Sequence, residues 1–411
     1  MRLTIMSAAM MRARLLKPDR IWTNGSLSTG HVLVEGNRIA AVGAIDAPRD
    51  AETIDLSGLT LLPGLMDLHS HLFLHPYNET LWDDQVLKEP GAYRTVLAVK
   101  HAGATLDAGF TLLRDLGTEG AGYADVALKR AIEEGVTPGP RLAVATRAIV
   151  ATGGYGPSRT KFRADCCVPQ GAEEASGVDE VVRAVRHQAS HGADWIKIYA
   201  DYRVGPRGET VATFSEDELK AMVDTAHSLR RPVSVHAASD EGMRRAAVAG
   251  VDTIEHGYGG SRQTFALMAK KGIAFLPTLT ACEATAEYFH GHKRGGEPHP
   301  RMKEAENAFR LARAEGVVIG CGSDVGVFAH GTNARELHWM HRLGMGADEV
   351  LEAATSISAR IIGRGNDLGA IINGYLADLI AVPGDPTKNL DALDDVRFVM
   401  KDGAVAKAVA R

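Results

Sequence analysis

The feature that most constrains the fold is an alternation of short apolar runs with helix-like segments through the middle of the chain. Segments such as VDEVVRAVRHQASHG and EDELKAMVDTAHSLR have the apolar spacing of helices and separate the runs. Strands alternating with helices favour a parallel sheet, and eight such strands predict an α/β protein with a (β/α)8 TIM barrel. The apolar runs occupy residues 60–68, 111–116, 141–150, 193–199, 232–237, 252–257, 273–279 and 317–323.

The two ends of the chain differ from the middle, because they contain short alternating strands with tight turns. Residues 20–58 contain an Asn-Gly and a Gly-Asn turn, and the C-terminal stretch repeats the pattern with an Asp-Gly turn. A chain of 411 residues is long enough for two domains. We therefore predict a small β-sandwich domain from residues 1–58 plus 365–411, with the barrel in residues 59–364.

Charge and hydropathy exclude two classes of partner. The chain has 46 basic and 51 acidic residues, a formal net charge of −5, so it has no bulk positive charge for binding nucleic acid. It contains no uncharged apolar window long enough for a membrane span. We expect a small-molecule substrate and neither nucleic acid nor membrane as partner.

The cysteines and the N-terminal stretch bear on localisation. Four cysteines do not make a disulfide framework in a chain of this length, and Cys282 and Cys321 lie in apolar surroundings typical of buried thiols. The stretch MRLTIMSAAMMRARLL lacks a clear cleavage site, so it is a poor signal peptide or a start-site extension. We expect a cytoplasmic protein.

Two histidines close the first predicted barrel strand, in GLMDLHSHL. His69 and His71 are two residues apart, so on a strand their side chains point to the same face. A single histidine on an apolar strand is usually a packed core residue. A pair at the carboxyl end of a strand instead favours a metal site, because imidazole is a common metal ligand.

Three later strands end in residues of the same chemical kind. The fifth ends at His236 in PVSVHA, the sixth at His256 in DTIEHG, and the eighth at Asp324 in VIGCGSD. Asp324 alone could cap a following helix. Its position on the last barrel strand favours a catalytic aspartate, since barrel enzymes place their active sites at the carboxyl ends of the strands.

A lysine interrupts the apolar fourth strand, ADWIKIYA. A buried lysine without a partner is costly, so Lys197 should be neutral or modified, unless it simply extends its ammonium group to solvent. A neutral amine can add carbon dioxide and become a carbamate. Such an anion resembles a carboxylate and can bridge two cations.

Together these residues resemble the ligand set of the amidohydrolase superfamily, and the resemblance covers nearly the whole chain. It implies that His69, His71 and Asp324 bind the more buried of two divalent metal ions, expected to be Zn²⁺. It implies that His236 and His256 bind the second ion and that a carboxylated Lys197 bridges both. Asp324 would also act as the catalytic base and acid for amide hydrolysis, and a homo-oligomer is expected.

Details of the motifs indicate which branch of the superfamily the chain resembles. Mononuclear deaminases carry a glutamate three residues after the fifth-strand histidine, whereas this chain has Ser239. The stretches TGGYG, HAASDEGMRRAAVAGVDTIEHG and GSDVGVFAHGTNARE look like metal-dependent Xaa-Pro-dipeptidase-like amidohydrolases, near the ochratoxin-hydrolysing members. The resemblance implies cleavage of dipeptides or N-acyl amino acids with a free carboxylate, including ochratoxin A. The alternatives are a cyclic amide or imide hydrolase and a non-catalytic scaffold.

A free carboxylate on the substrate requires donors beside the metal site. Tyr155, Arg159 and Arg163 follow the third strand, Tyr199 lies two residues after the lysine, and His330 follows the eighth strand. We predict that these five residues contact the substrate. In the simpler interpretation, GGYG is only a tight turn and His330 a surface residue.

Overall fold

The structure is a computed structural model that describes residues 13–46 and 48–409. The predicted signal peptide or start-site extension lies almost entirely outside these residues. The strands of the described chain are β1 (Arg14–Thr23), β2 (Ser26–Ser28), β3 (His31–Glu35), β4 (Arg38–Gly43), β5 (Glu52–Pro63), β6 (Leu65–Ser70), β7 (Phe110–Asp115), β8 (Arg141–Val144), β9 (Ile149–Val150), β10 (Glu173–Glu174), β11 (Ile196–Tyr199), β12 (Asp201–Tyr202), β13 (Val211–Ala212), β14 (Val233–Ala237), β15 (Thr253–His256), β16 (Ala274–Leu276), β17 (Leu379–Pro383), β18 (Phe398–Lys401) and β19 (Ala404–Lys407).

Helices follow most of the strands in the middle of the chain. They are α1 (Trp82–Lys88), α2 (Gly91–Asp107), α3 (Ala124–Glu133), α4 (Val178–Ser190), α5 (Glu216–Ser228), α6 (Asp240–Ala249), α7 (Arg262–Lys271), α8 (Leu279–His290), α9 (Pro300–Ala314), α10 (Arg335–Arg342), α11 (Ala347–Glu352) and α12 (Ser358–Ile361). A π-helical turn (Ala353–Ile357) joins the last two, and a 3₁₀ turn covers Leu390–Asp394. None of the helices within the described residues has both the length and the hydropathy needed to cross a bilayer.

The first compact unit draws on both ends of the chain. It comprises the described residues up to Met66, Leu106–Thr111, and the described residues from Gly346 onward. Its eight-stranded sheet has the order β19-β18-β17-β5-β1-β3-β4, with β2 paired to β1. N-terminal β5 thus pairs with C-terminal β17. The second layer of the predicted sandwich and the boundaries at residues 58 and 365 stay predictions.

The second compact unit, Asp67–Thr105 and Leu112–Met345, contains the parallel strands. It holds a six-stranded sheet of order β10-β9-β11-β14-β15-β16 and most of a three-stranded sheet of order β6-β7-β8. In the parallel register, Tyr199 lies opposite His236 and Ala237 lies opposite His256. The α/β alternation is as predicted, and the register brings the carboxyl ends of neighbouring strands together.

The last predicted strand, 317–323, is present as parallel bridges rather than as a continuous strand. Ile319 bridges to Phe275, and Val325 bridges to Ser70. A Cβ atom on Gly322 would lie 2.9 Å from Leu276 Cβ and 3.1 Å from His69 Cβ, so the backbone passes too close for any side chain. Asp324 then adopts a left-handed φ of 63°, which ends extended geometry.

The cysteines agree with the sequence analysis. The four thiols lie within the described residues and form no disulfide. Cys282 and Cys321 are buried, whereas Cys166 and Cys167 are exposed.

Candidate active site

Five of the six predicted metal ligands line one cavity at the carboxyl ends of the parallel strands. The ring centroid of His69 lies 5.3 Å from that of His71 and 5.0 Å from that of His256. The His236 and His256 rings are 4.4 Å apart. The structure therefore brings together histidines from three strands that are far apart in sequence.

Asp324 completes this cluster from the loop after the last parallel bridge. Its Oδ1 lies 3.3 Å from His71 Nε2 and 3.5 Å from His69 Nε2. Ligand atoms of His69, His256 and Asp324 all lie within 4.8 Å of one another, close enough to hold one metal ion. Nitrogen and carboxylate oxygen ligands of this kind suit zinc and related divalent ions.

Each of three histidines is held in orientation by a partner on its other ring nitrogen. His69 Nδ1 lies 2.8 Å from Glu255, and His256 Nδ1 lies 2.8 Å from Thr278 Oγ1. His71 Nδ1 lies 2.9 Å from the carbonyl of Gly117. These partners leave Nε2 directed at the cluster, which is how proteins usually fix metal-binding imidazoles.

Sequence reasoning missed the support beneath His69. Glu255 is fully buried and accepts hydrogen bonds from the Arg114 guanidinium at 2.9 Å and from Ser234 Oγ at 2.8 Å. Arg114 lies on β7 and Glu255 on β15, so only the folded chain shows that they pair. The sequence signal is limited to a charged residue inside each apolar strand.

Lys197 lies on β11 with its side chain 1% exposed. Its Nζ has no hydrogen-bond partner among the described residues, and burial lowers the pKa of Lys197 to about 8. A buried amine without a partner is costly unless it is neutralised or modified. Its environment fits the predicted carbamate and does not fit an ammonium group extended to solvent.

The electrostatics of the cluster favour neutral imidazoles at most positions. Burial and neighbouring positive groups hold the pKa values of His69, His236 and His256 well below the usual range. Burial also acts on His71, but the hydrogen bond and charge of Asp324 outweigh it and raise the pKa of His71 to about 9. Asp324 therefore favours the protonated form of His71.

Backbone strain is concentrated around the same cluster. His256 and Asp324 have φ values of 73° and 63°, in the left-handed region that favours glycine. Glu119 and Thr278, which follow neighbouring strands, have φ values of 49° and 50°. Strained non-glycine residues of this kind persist only where surrounding contacts hold them, and they gather at functional sites.

The cavity above the cluster has a volume of about 1270 Å³. Tyr155 and Tyr199, both predicted to contact substrate, line it. Arg159 lines it as well, but both of its terminal nitrogens bind the carboxylate of Glu174, at 2.7 and 2.5 Å. Its charge is therefore already neutralised.

Two other predicted substrate contacts lie outside the described lining of the cavity. Arg163 is exposed and pairs with Asp165 two residues away, with Nη2 2.6 Å from a carboxylate oxygen. His330 stacks on His101 at 4.1 Å between ring centroids, and its Nε2 lies 3.0 Å from the Leu74 carbonyl. Short-range ion pairing and ring stacking account for both placements, and their substrate roles stay predictions.

Ser239, the position that argued against deamination, has a structural role. Its hydroxyl accepts a hydrogen bond from the backbone of Gly242 and so caps α6. The same hydroxyl donates to the buried carboxylate of Asp201. Ser239 itself therefore supplies no carboxylate where deaminases carry their glutamate, although the Asp201 carboxylate that it contacts lies 3.8 Å from His236 Nε2.

Comparison with known proteins decides the family. The amidohydrolase family model matches residues 60–410. The chain belongs to the amidohydrolase family. Amidohydrolases are hydrolytic enzymes that act on C–N bonds, are generally metal-dependent and have the α/β TIM-barrel fold, which agrees with the parallel strands and the histidine–aspartate cluster described above.

Several individual proteins are similar to this chain over most of its length. An uncharacterized protein of Mycobacterium tuberculosis is 31% identical over 364 residues, 86% of each chain. Ochratoxinase of Aspergillus niger is 29% identical over 373 residues, covering 84% of this chain and 75% of its own, and its crystal structure superposes with a TM-score of 0.80. A crystal structure of a Xaa-Pro dipeptidase with methionine bound in its active site has 32% identity, a TM-score of 0.85, and coverage of 96% of this chain and 99% of that one.

Proposed function

We propose that this amidohydrolase cleaves the amide bond of dipeptides or N-acyl amino acids that carry a free α-carboxylate. The observation that carries the proposal is the convergence of histidines, a buried lysine and an aspartate at one end of a large cavity. The names of the similar proteins support the substrate class, since one is an ochratoxinase and another a Xaa-Pro dipeptidase.

The residues present fit two divalent metal ions, expected to be zinc. Lys197 Nζ is an orphaned buried atom beside the imidazole cluster, and a carbamate on it would give the two ions a shared anionic ligand. Metal ions at this position polarise a substrate carbonyl and lower the pKa of water. The complete set would comprise His69, His71, Lys197, His236, His256 and Asp324.

Asp324 is placed to move the proton. Its Oδ1 lies within 3.5 Å of both His69 and His71, at the end of the cavity where the scissile carbonyl would lie. We assign it as the base that takes a proton from the attacking water. The same carboxyl group then donates that proton to the leaving amine nitrogen, as general acid–base catalysis requires.

For the carboxylate anchor we propose residues other than those predicted from the sequence. Arg159 and Arg163 already pair with carboxylates, whereas Arg203 and Arg301 line the cavity and form no ion pair with any described residue. Arg203 contacts the Tyr202 ring, with its guanidinium carbon 5.7 Å from the ring centroid. We assign these two arginines to the substrate carboxylate, because a guanidinium group that has no carboxylate partner among the described residues is suited to bind one. Tyr155 and Tyr199 lie on the same lining, but their hydroxyl groups donate to the Glu119 carboxylate, so the two arginines alone are assigned to the anchor.

We also propose that the parallel strands close into an eight-stranded barrel and that the terminal sheet forms the predicted sandwich. Backbone hydrogen bonds support closure, since Asp324 N donates to His69 O at 2.8 Å and Phe275 N donates to Val318 O at 2.8 Å. The segment 317–325 therefore bonds to β6 on one side and to β16 on the other.

The function is tested with a small substrate panel assayed on the purified, zinc-loaded enzyme. N-acetyl-phenylalanine, alanyl-phenylalanine and ochratoxin A are compared with the C-terminal amides of the first two and with a cyclic imide. We expect cleavage of the free acids, and a loss of about 10- to 100-fold in kcat/KM for the amides, which leave the arginines unpaired. Equal rates for acid and amide would contradict the anchor, and cleavage of the imide alone would replace the proposed function.

A further inference from the structure

A carboxylate outside the ligand set lies in the wall of the same cavity. Glu119 follows β7, is 2% exposed and lines the cavity. Three neutral donors hold its carboxylate: Tyr155 OH at 2.7 Å, Trp82 Nε1 at 3.1 Å and Tyr199 OH at 3.3 Å. All three donors belong to aromatic residues that also line the cavity.

No cationic side chain among the described residues forms an ion pair with this carboxylate. The nearest guanidinium, that of Arg94, donates instead to three backbone carbonyls, those of Phe73, Thr118 and Glu119 itself. Buried carboxylates are normally paired with a cation or bound to a metal. The Glu119 carboxyl group therefore lies in the cavity wall without an ion-pair partner among the described residues, and a cationic group in the cavity could pair with it.

The backbone at Glu119 is held in a costly conformation. Its φ of 49° lies in the left-handed region, which a residue with a side chain rarely adopts. The hydrogen bonds from the buried Arg94 to the carbonyls of Thr118 and Glu119 fix the loop in that shape. Strain maintained in this way is typical of functional residues whose side chains are held in one orientation.

Glu119 lies where the α-ammonium group of a bound dipeptide is expected. A Cβ atom built on Gly117 would lie 3.4 Å from Glu119 Oε1 and 3.9 Å from His71 Cε1, so the carboxylate and that histidine flank the same point. In an aminoacyl group, the α-nitrogen is only about 2.5 Å from the carbonyl carbon, given standard bond lengths. A substrate whose carbonyl lies at the histidine cluster would thus bring an α-ammonium group toward Glu119.

We propose that Glu119 binds the α-ammonium group of the acyl residue, which makes dipeptides with a free N-terminus the preferred substrates over N-acyl amino acids. The inference rests on the proposed function and narrows its substrate class. Glu119 would then bind the ammonium group at one end of the substrate, and the two arginines would bind the carboxylate at the other end.

The test compares alanyl-phenylalanine with propionyl-phenylalanine, which has the same skeleton but lacks the ammonium group. For the wild-type enzyme we expect kcat/KM to be about 10- to 100-fold higher for alanyl-phenylalanine, the value of a charge-assisted hydrogen bond. In Glu119→Gln this ratio should fall toward one. The matched control is Asp83→Asn, which removes an exposed carboxylate from the same cavity lining and should leave the ratio within about two-fold of wild type.

A second measurement needs no variant, in case Glu119→Gln does not fold. The wild-type ratio of the two kcat/KM values should fall as the pH rises above about 8, where an α-amino group loses its proton. Ionisations of the enzyme that affect both substrates equally cancel in the ratio. A wild-type ratio near one, a ratio independent of pH, or an equal loss for both substrates in Glu119→Gln would overturn the proposal. If neither compound is cleaved, the proposed function itself fails.

Discussion

At the scale of single residues, the site is defined by ionisable groups that the fold buries without a partner of opposite charge among the described residues. Lys197 and Glu119 are both nearly inaccessible to solvent, and neither forms an ion pair with a described side chain. Arg159, by contrast, has its partner in Glu174. A charged residue that has no ion-pair partner within the described chain is therefore available to a ligand. One that already has such a partner stabilises its loop instead.

The first prediction concerns Lys197. Lys197→Ala should lower kcat at least about 100-fold, because removal of the amine abolishes the predicted carbamate that joins the metal sites. Short-chain carboxylates or bicarbonate should restore part of the activity. The matched control is Lys129→Ala, which removes the half-buried partner of Asp194 and should retain normal turnover. Full activity in Lys197→Ala would contradict the bridging role.

The second prediction concerns Asp324. Asp324→Asn keeps the shape of the side chain but cannot carry the proton, so kcat should fall by roughly 10²–10⁴-fold. Steady-state kinetics give the change in kcat, and elemental analysis of the purified variant shows whether metal is retained. A variant that retains metal and turns over at the wild-type rate would assign the proton transfer to another group.

The structure brings the predicted histidine and aspartate ligands together, whereas two predicted substrate contacts lie outside the described lining of the cavity, for a physical reason. His69 and His71 share a face because the strand period is two, and the other histidines and the aspartate each close an apolar run, so local spacing was sufficient. The status of Arg159 depended on Glu174, which lies across a loop and has no local sequence signal. Glu119 was missed because it follows a turn and is aimed by the distant Arg94.

At the scale of elements, the start of α8 shows how the site is tied to its scaffold. Thr278, at the N-cap position, makes no capping bond, because its hydroxyl contacts His256 Nδ1 and Tyr258 OH. Glu336 from α10 accepts the N–H groups of Leu279 and Thr280 in its place, at 2.9 and 2.8 Å. One helix thus caps another so that a threonine can orient a histidine.

The third prediction follows from the burial of that cap. Burial raises the pKa of Glu336 to about 8, despite the hydrogen bonds that it accepts. The folded state therefore keeps a proton that the unfolded chain releases above about pH 4.5, so this group makes stability fall as the pH rises from about 5 to 8. Glu336→Gln cannot ionise and should reduce that fall.

Urea unfolding at several pH values measures the slope for wild type and variant. The exposed Glu133 provides the control, since Glu133→Gln should leave the slope of the wild-type protein unchanged. Identical pH slopes for wild type and Glu336→Gln would show that Glu336 does not hold its proton in the folded state.

Most predicted strands coincide with observed ones because parallel strands buried on both faces read as continuous apolar runs. The predicted strand at 317–323 is the exception, because the structure does not contain it as a continuous strand. Its apolar residues predicted a strand, but the left-handed φ of Asp324 and the close backbone approach at Gly322 reduce it to isolated bridges. These features depend on packing against His69 and Leu276, which composition alone cannot show.

At the scale of the whole molecule, the histidines, lysine and aspartate of the cluster all belong to the second compact unit. They come from strands and loops between residues 69 and 324, so bound metal ions would connect the beginning of this unit to its end. A ligand that binds only the folded state stabilises it, and a strongly bound metal ion contributes several kcal/mol in this way.

The fourth prediction is that metal removal lowers both activity and thermal stability. Dialysis against a chelator should abolish amide hydrolysis and lower the Tm by several degrees, and zinc should restore both. Calorimetry of the chelated and reloaded enzyme measures the shift. An unchanged Tm with full activity after metal depletion, verified by elemental analysis, would contradict a metal-dependent site.

The size of the cavity has a consequence for how this enzyme could acquire new substrates. At about 1270 Å³ it exceeds the roughly 300–1,000 Å³ of typical small-molecule pockets, so a dipeptide would leave much of it to water. Walls that touch a substrate loosely penalise extra bulk only weakly. Adaptation to larger acyl groups would then begin from measurable activity, and exchange of a single charged residue at either end of the cavity could redirect selectivity without repacking the protein interior.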